Sequence, residues 1–158
     1  MVIELGHFFL IAAFCLNLGL IANCAVNRPS LVGFTNFFNR LETLLLTLLA
    51  ISFLFLIVSF VTSDFSVKLV ANNSHSLKPL LYKVAGAWGN HEGSMLLWVL
   101  ILSLYLFLFQ LSSNSYSKKL VKNVVLVQLS IIALFLFYLL VLSNPFERLD
   151  FPPNNRYP

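Results

Sequence analysis

The run Trp88-Gly89-Asn90-His91-Glu92-Gly93-Ser94 is the most polar stretch in a chain built otherwise from Leu, Phe, Val and Ile. It sets an imidazole, a carboxylate, an amide, a hydroxyl and an indole side by side, with glycines that let a backbone, a helix or a ligand approach closely. Asn90 has the side chain to cap a helix starting after it, and Glu92 would then sit in the first turn, where the helix dipole favours negative charge. A cap accounts for those two residues and leaves His91 over. In a helix that starts at His91, the residues His91, Met95 and Trp98 fall at i, i+4 and i+7 and share one face. Plain helix packing produces such a face too, but an imidazole above a thioether and an indole could also meet a flat, apolar, partly charged ligand. Gly89 and Gly93 would allow its approach. His7 and His75 are further histidines in more ordinary surroundings, expected to face solvent or headgroups.

The elements that must position this run follow from composition. Of the 158 residues, 59% are hydrophobic and only 10% charged, and the mean hydropathy of +0.87 exceeds what a soluble domain can hide. Charged residues leave four long charge-free windows, each enough for the roughly 20 residues that cross a bilayer. No ten-residue alternation suggests a barrel. The expected fold is an all-α integral membrane unit with four transmembrane helices at about 5–26, 43–63, 93–113 and 123–143, and a long outer loop between the second and third. Asn72, Asn73, Ser74 and Ser76 mark a turn in that loop, and the stretch after Pro79 reads as a short helix along the interface. Tyr82, Lys83 and Trp88 mark the boundary before the third span. The first span lacks a basic n-region, so it reads as a permanent helix, not a cleaved signal.

Four spans place both termini and residues 64–92 on one side and the two short connections on the other. Lys and Arg divide five against five between the sides, but the short connections are denser in basic groups. They are therefore expected in the cytoplasm or matrix, with the termini and residues 64–92 on the periplasmic or intermembrane side. Cys15 and Cys24 stand nine positions apart on one helix, on opposite faces and about 13 Å apart along the axis, beyond disulfide reach. No metal-ligand spacing, CxxC, phosphate-cradling glycine loop or orientable Ser/His/Asp set is present, and basic residues are too dispersed for a nucleic-acid surface. Inside the spans the polar side chains are mainly Asn17, Gln128 and hydroxyls.

The string WGNHEGSMLLW, preceded by the run from Asp64 (DFSV, then VANNS) and by Leu80 to Lys83, and followed one span later by Ser143-Asn144-Pro145-Phe146, resembles the N-terminal part of the CcmF/NrfE family of haem lyases of system I cytochrome c maturation. The resemblance runs over essentially the whole chain. It implies residence in the bacterial inner membrane or mitochondrial inner membrane, and partnership with a CcmE-type haem chaperone, CcmH-type thiol-handling factors and apocytochrome c. It implies haem as the group handled by the complete assembly, with none held by this chain alone. Family members continue past the Ser143–Phe146 motif into a tryptophan-rich WWD segment and iron-ligating histidines. This chain has no such segment, Trp88 and Trp98 being its two tryptophans, and no iron ligand is carried over. The remaining C-terminal piece is thus an expected partner, and Trp88 and His91 are expected cofactor-facing residues within the motif 88–94. Two other readings start from the same spans: a subunit that transports or presents haem across the bilayer, which needs a polar path, and a structural subunit of a respiratory complex.

Overall fold

The computed structural model describes residues 2–26 and 32–149, without the side chains of residues 32–37 and of Asn114. Six α-helices follow one another: α1 (Val2–Val26), α2 (Val32–Val61), α3 (Lys68–Asn73), α4 (Leu80–Gly86), α5 (His91–Leu111) and α6 (Lys118–Val141). Four of them, α1, α2 from Phe38, α5 and α6, are long and apolar enough to cross a membrane. The chain is a multi-pass membrane protein.

Where the helices exceed the expected spans, charge is the reason. Arg40 and Glu42 stand just before the expected start of the second span at 43, yet α2 runs through them from Val32. Lys118, Lys119 and Lys122 likewise lie in the first turns of α6, opened by Ser117, whose Oγ accepts from Leu120 N at 3.4 Å. Helices outlast the hydrocarbon, so a charge-free window underestimates them. At the other end α6 stops at Val141, shortly before Pro145, which excludes a continuing helix.

The four long helices form a ring in which α1 packs on α2 and α6, and α5 on α2 and α6. Burial on α1 falls on Ile3, Gly6, Leu10, Ala13, Asn17 and Leu20, alternating steps of three and four that keep one seam inward, as in a left-handed bundle. Cys24 continues this seam and is buried, while Cys15 is exposed. With lipid as apolar as Leu, burial of oily surface does little to join such helices, and close packing and interhelical hydrogen bonds matter more. Ser52 Oγ donates to Gly6 O at 3.0 Å, joining α2 to α1. Asn17 Nδ2 donates to Leu129 O at 3.1 Å, joining α1 to α6, and Gln128 Nε2 to Leu102 O at 3.0 Å, joining α6 to α5. Asn17 and Gln128 therefore tie neighbouring helices together, with Asn17 Oδ1 buried and unpartnered among the described residues.

Between α2 and α5 the connection is largely ordered into α3 and α4. Asn72 and Asn73 lie at the end of α3, so the turn begins at Ser74, while the helix expected after Pro79 is α4. Helix α2 ends at Val61 and is closed by Ser63, a non-glycine residue in the left-handed region (φ 53°), with Asp64 N returning to Ser59 O at 3.0 Å, the wrap that closes many helix ends. Lys83 Nζ donates to Ser63 Oγ at 2.6 Å, fastening α4 beneath that end.

The segment after α6 folds back as a clasp. Asn144 Nδ2 donates to His7 Nδ1 at 3.1 Å, and Asn144 Oδ1 accepts from Phe146 N at 3.0 Å. Phe146 is buried and its ring edge lies where a side chain at position 6 would project, so Gly6 is needed there. Lys68 N donates to Glu147 O and Leu149 N to Ser66 O, both at 2.9 Å. Ion pairs Arg148–Glu4 and Lys68–Glu147 lie outside these bonds. The start of α1, residues 64–68 and residues 143–149 thus gather at one end of the bundle.

Candidate functional site

The polar run occupies the elbow between α4 and α5 at that same end. Asn90 has extended backbone angles and caps α5, its Oδ1 accepting from Gly93 N at 2.7 Å. Its Nδ2 donates backwards to Gly86 O, also at 2.7 Å. One amide therefore satisfies a carbonyl at the end of α4 and a free N–H at the start of α5. Ser94 completes the turn, its N donating to Asn90 O at 3.0 Å and its Oγ to His91 O at 2.9 Å.

Gly93 is explained by the same elbow. The carbonyl of buried Ala87 lies against its Cα, and a Cβ there would overlap that oxygen. The close approach that glycine permits is used by the chain's own backbone. A Cβ on Gly89 would lie 3.2 Å from Ala85 O, a tight fit in an exposed turn. Glu92 lies half-buried in the first turn of α5, where its charge suits the dipole.

Trp88 and His91 remain exposed once the elbow has taken its share. His91 Nε2 lies 3.2 Å from Tyr138 Oη, and the two rings meet edge to face with centroids 6.0 Å apart. The imidazole is thus oriented by α6, a contact spanning 47 positions that no local pattern announces. Trp98 faces outward on the stripe that His91 begins, whereas Met95 leans inward onto the core. The expected face of three is therefore split, and an outward ligand would meet His91 and Trp98 without Met95.

The other histidines are each half-buried. His7 is half-buried against the clasp, bonded to Asn144 and edge-on to Phe146 at 6.4 Å. The contact orients one side of its ring against the clasp. His75 is half-buried too, after α3. At the opposite end lies a pair that the charge-free windows missed. Glu42 is 2% exposed, with Oε1 accepting from Gln110 Nε2 at 2.9 Å and Oε2 without a partner among the described residues. Cys24 Sγ lies 3.9 Å from Lys122 O near the same end.

Holding haem takes an iron ligand and walls on both faces of the ring. The described residues offer one exposed imidazole, already bonded through Nε2, beside indoles on an open surface. Among them no group of three or more His, Cys, Asp and Glu side chains converges. The elbow can form one rim of a haem surface and does not by itself enclose the ring.

Comparison with known proteins gives a consistent result. A family model described as cytochrome C assembly protein matches residues 88–158. The chain is 46% identical over 153 residues to the cytochrome c-type biogenesis protein CycK of Rhizobium meliloti, covering 94% of this chain and 22% of that protein. It is 44% identical over 158 residues to the cytochrome c-type biogenesis protein ccl1 of Rhodobacter capsulatus, covering 98% of this chain and 24% of the relative. Among solved structures it matches one titled cytochrome c heme lyase CcmF, with a TM-score of 0.78, 25% identity, and coverage of 93% of this chain and 25% of that one. The chain thus spans about a quarter of the length of its relatives. With an all-helical bundle of four spans matching in sequence and in fold, the chain belongs to the CcmF family of cytochrome c-type biogenesis proteins and corresponds to its N-terminal portion.

Proposed function

We propose that this bundle is the N-terminal part of a haem lyase of cytochrome c maturation system I, and helps build the membrane site where haem is attached to apocytochrome c. The observation that carries this reading is the 46% identity to CycK over 94% of the chain. The catalytic work belongs to the complete assembly, since the elbow offers only a rim. In that assembly haem is cargo, and Trp88 and His91 border it. Asn90, Gly93 and Ser94 fix the elbow, and Tyr138 aims the imidazole. The partners are the C-terminal remainder of the CcmF-type protein, CcmE-type and CcmH-type factors, and apocytochrome c. The clasped end, with residues 64–92, faces the periplasm or intermembrane space of a bacterial or mitochondrial inner membrane, where apocytochrome is presented.

A haem-transport role is less well supported, because the amide nitrogens of Asn17 and Gln128 donate to carbonyls of neighbouring helices. A respiratory-complex subunit is disfavoured by the relatives' shared description as biogenesis proteins.

Separate His91→Ala and Glu92→Gln variants test the reading, scored by covalently bound haem on c-type cytochromes and by the membrane level of the chain. His91→Ala is expected to lower covalent haem about tenfold or more at unchanged chain level, and Glu92→Gln to change it less than twofold. Equal, full maturation in both variants would reduce the motif to a helix cap.

A further inference from the structure

Helix α5 carries a second signal along its outward side. Continuing the stripe from His91 by sevens gives Trp98 and Tyr105, which are 61% and 63% exposed. Trp98 lies about 10 Å along the axis from the start of α5, and Tyr105 about 9 Å from its end. Both therefore sit within the hydrocarbon, away from the interfacial levels where Trp and Tyr usually anchor. Neither the Trp98 indole N–H nor the Tyr105 hydroxyl has a hydrogen-bond partner among the described residues. Against lipid chains, which accept no hydrogen bond, each would carry a desolvation cost.

The other spans show what a lipid-facing side looks like in this molecule. The exposed large residues of α1 include Phe8, Ile11 and Leu18, and those of α6 Val127, Leu134 and Phe137. Where a hydroxyl faces outward on these helices it bonds its own backbone, as Ser130 Oγ does with Leu126 O at 2.7 Å and Thr47 Oγ1 with Thr43 O at 2.6 Å. Tyr138 is met by His91, and Tyr82, Trp88 and Tyr116 stand beyond the span ends. Helix α5 is also the span least covered by its own bundle, with 22% of its apolar window buried against 39% for α2.

We infer that the Trp98–Tyr105 stripe is the docking face for a transmembrane helix of the rest of a CcmF-type protein, one that presents hydrogen-bond acceptors at two levels about 10 Å apart. That occupant is favoured over lipid by the two unpaired polar edges, and over a second copy by coverage, since about three quarters of the relatives' length lies outside this segment. The inference rests on the proposed role within a CcmF-type assembly and adds the surface through which the bundle joins it. The expected partner side chains or carbonyls accept from the indole N–H and the phenol, as polar contacts between membrane helices do.

Site-specific photocrosslinking in the complete, membrane-embedded assembly tests this. A benzophenone-bearing amino acid is placed at position 98 or 105, and at 134 or 137 on α6 as lipid-facing controls, with position 101 as a substitute probe if either α5 label lowers the chain's membrane level. The expected result is crosslinks from 98 and 105 to peptides of membrane-spanning helices outside this segment, at least fivefold above those from 134 and 137. Crosslinks from 98 and 105 to lipid alone, to a second copy of this bundle, to unrelated membrane proteins, or no stronger than the controls would overturn it. The two readings fail separately. Loss of c-type cytochromes on removal of the chain, with lipid-only crosslinks, leaves the function and removes the surface, whereas crosslinks with cytochromes intact do the reverse.

Discussion

Each side chain of the 88–94 run has one principal employment, and the employments differ. Asn90 and Gly93 hold the elbow: the amide binds Gly86 O and Gly93 N, and the missing Cβ admits the Ala87 carbonyl. A Gly93→Ala variant must push that carbonyl away or unwind the first turn, so it is expected to lose about 1–3 kcal/mol of stability. Thermal unfolding in detergent would register this as a lowered midpoint. The side chains of His91 and Trp88 make no bond within the elbow and stay exposed, His91 against Tyr138. The cap at Asn90 was legible in the sequence because capping is local chemistry, readable from one residue and the helix after it. The Tyr138 partner of His91 was not, because it arises from packing α5 on α6. For the same reason the His91–Met95–Trp98 face could be drawn from periodicity but not oriented, and Met95 turned inward.

At the scale of elements, four spans and the helix after Pro79 could be read directly, since length and hydropathy decide them. Which side of each span faces inward could not, because lipid and protein interior are equally apolar and the sequence carries no contrast between them. The inward seams appear only through small polar exceptions such as Asn17, Ser52 and Gln128. Charge misled at the edges of α2 and α6, and hid the Glu42–Gln110 pair inside the bundle. Gln110→Leu would leave both Glu42 oxygens without a partner among the described residues, where α2 meets α5, and is expected to destabilise the bundle by about 1–3 kcal/mol. Unfolding of the purified protein in detergent measures it, and a midpoint equal to wild type would mean that the pair is not closed in the membrane. The clasp gives a physical reason for the Ser143–Phe146 motif: Asn144 and Phe146 lock the chain onto His7 and Gly6. Its ion pairs are exposed, so they add little beyond the buried contacts.

For the molecule as a whole, the bundle is closed on its inner side and open on two others. One opening is the elbow with Trp88 and His91 exposed at the clasped end, and the second is the α5 stripe descending from it through Trp98 and Tyr105. Both are continuous along one helix, as expected if the bundle braces a haem-handling site whose other walls come from the remaining three quarters of a CcmF-type protein. The central proposal is that this chain serves the covalent attachment of haem to cytochrome c. Its most direct test is covalently bound haem on c-type cytochromes, measured by haem staining of denaturing gels, in host membranes with and without this chain. The account predicts that c-type signals vanish without it and return on re-expression, while non-covalently bound b-type haem stays at its normal level. Undiminished c-type signals in its absence would contradict it.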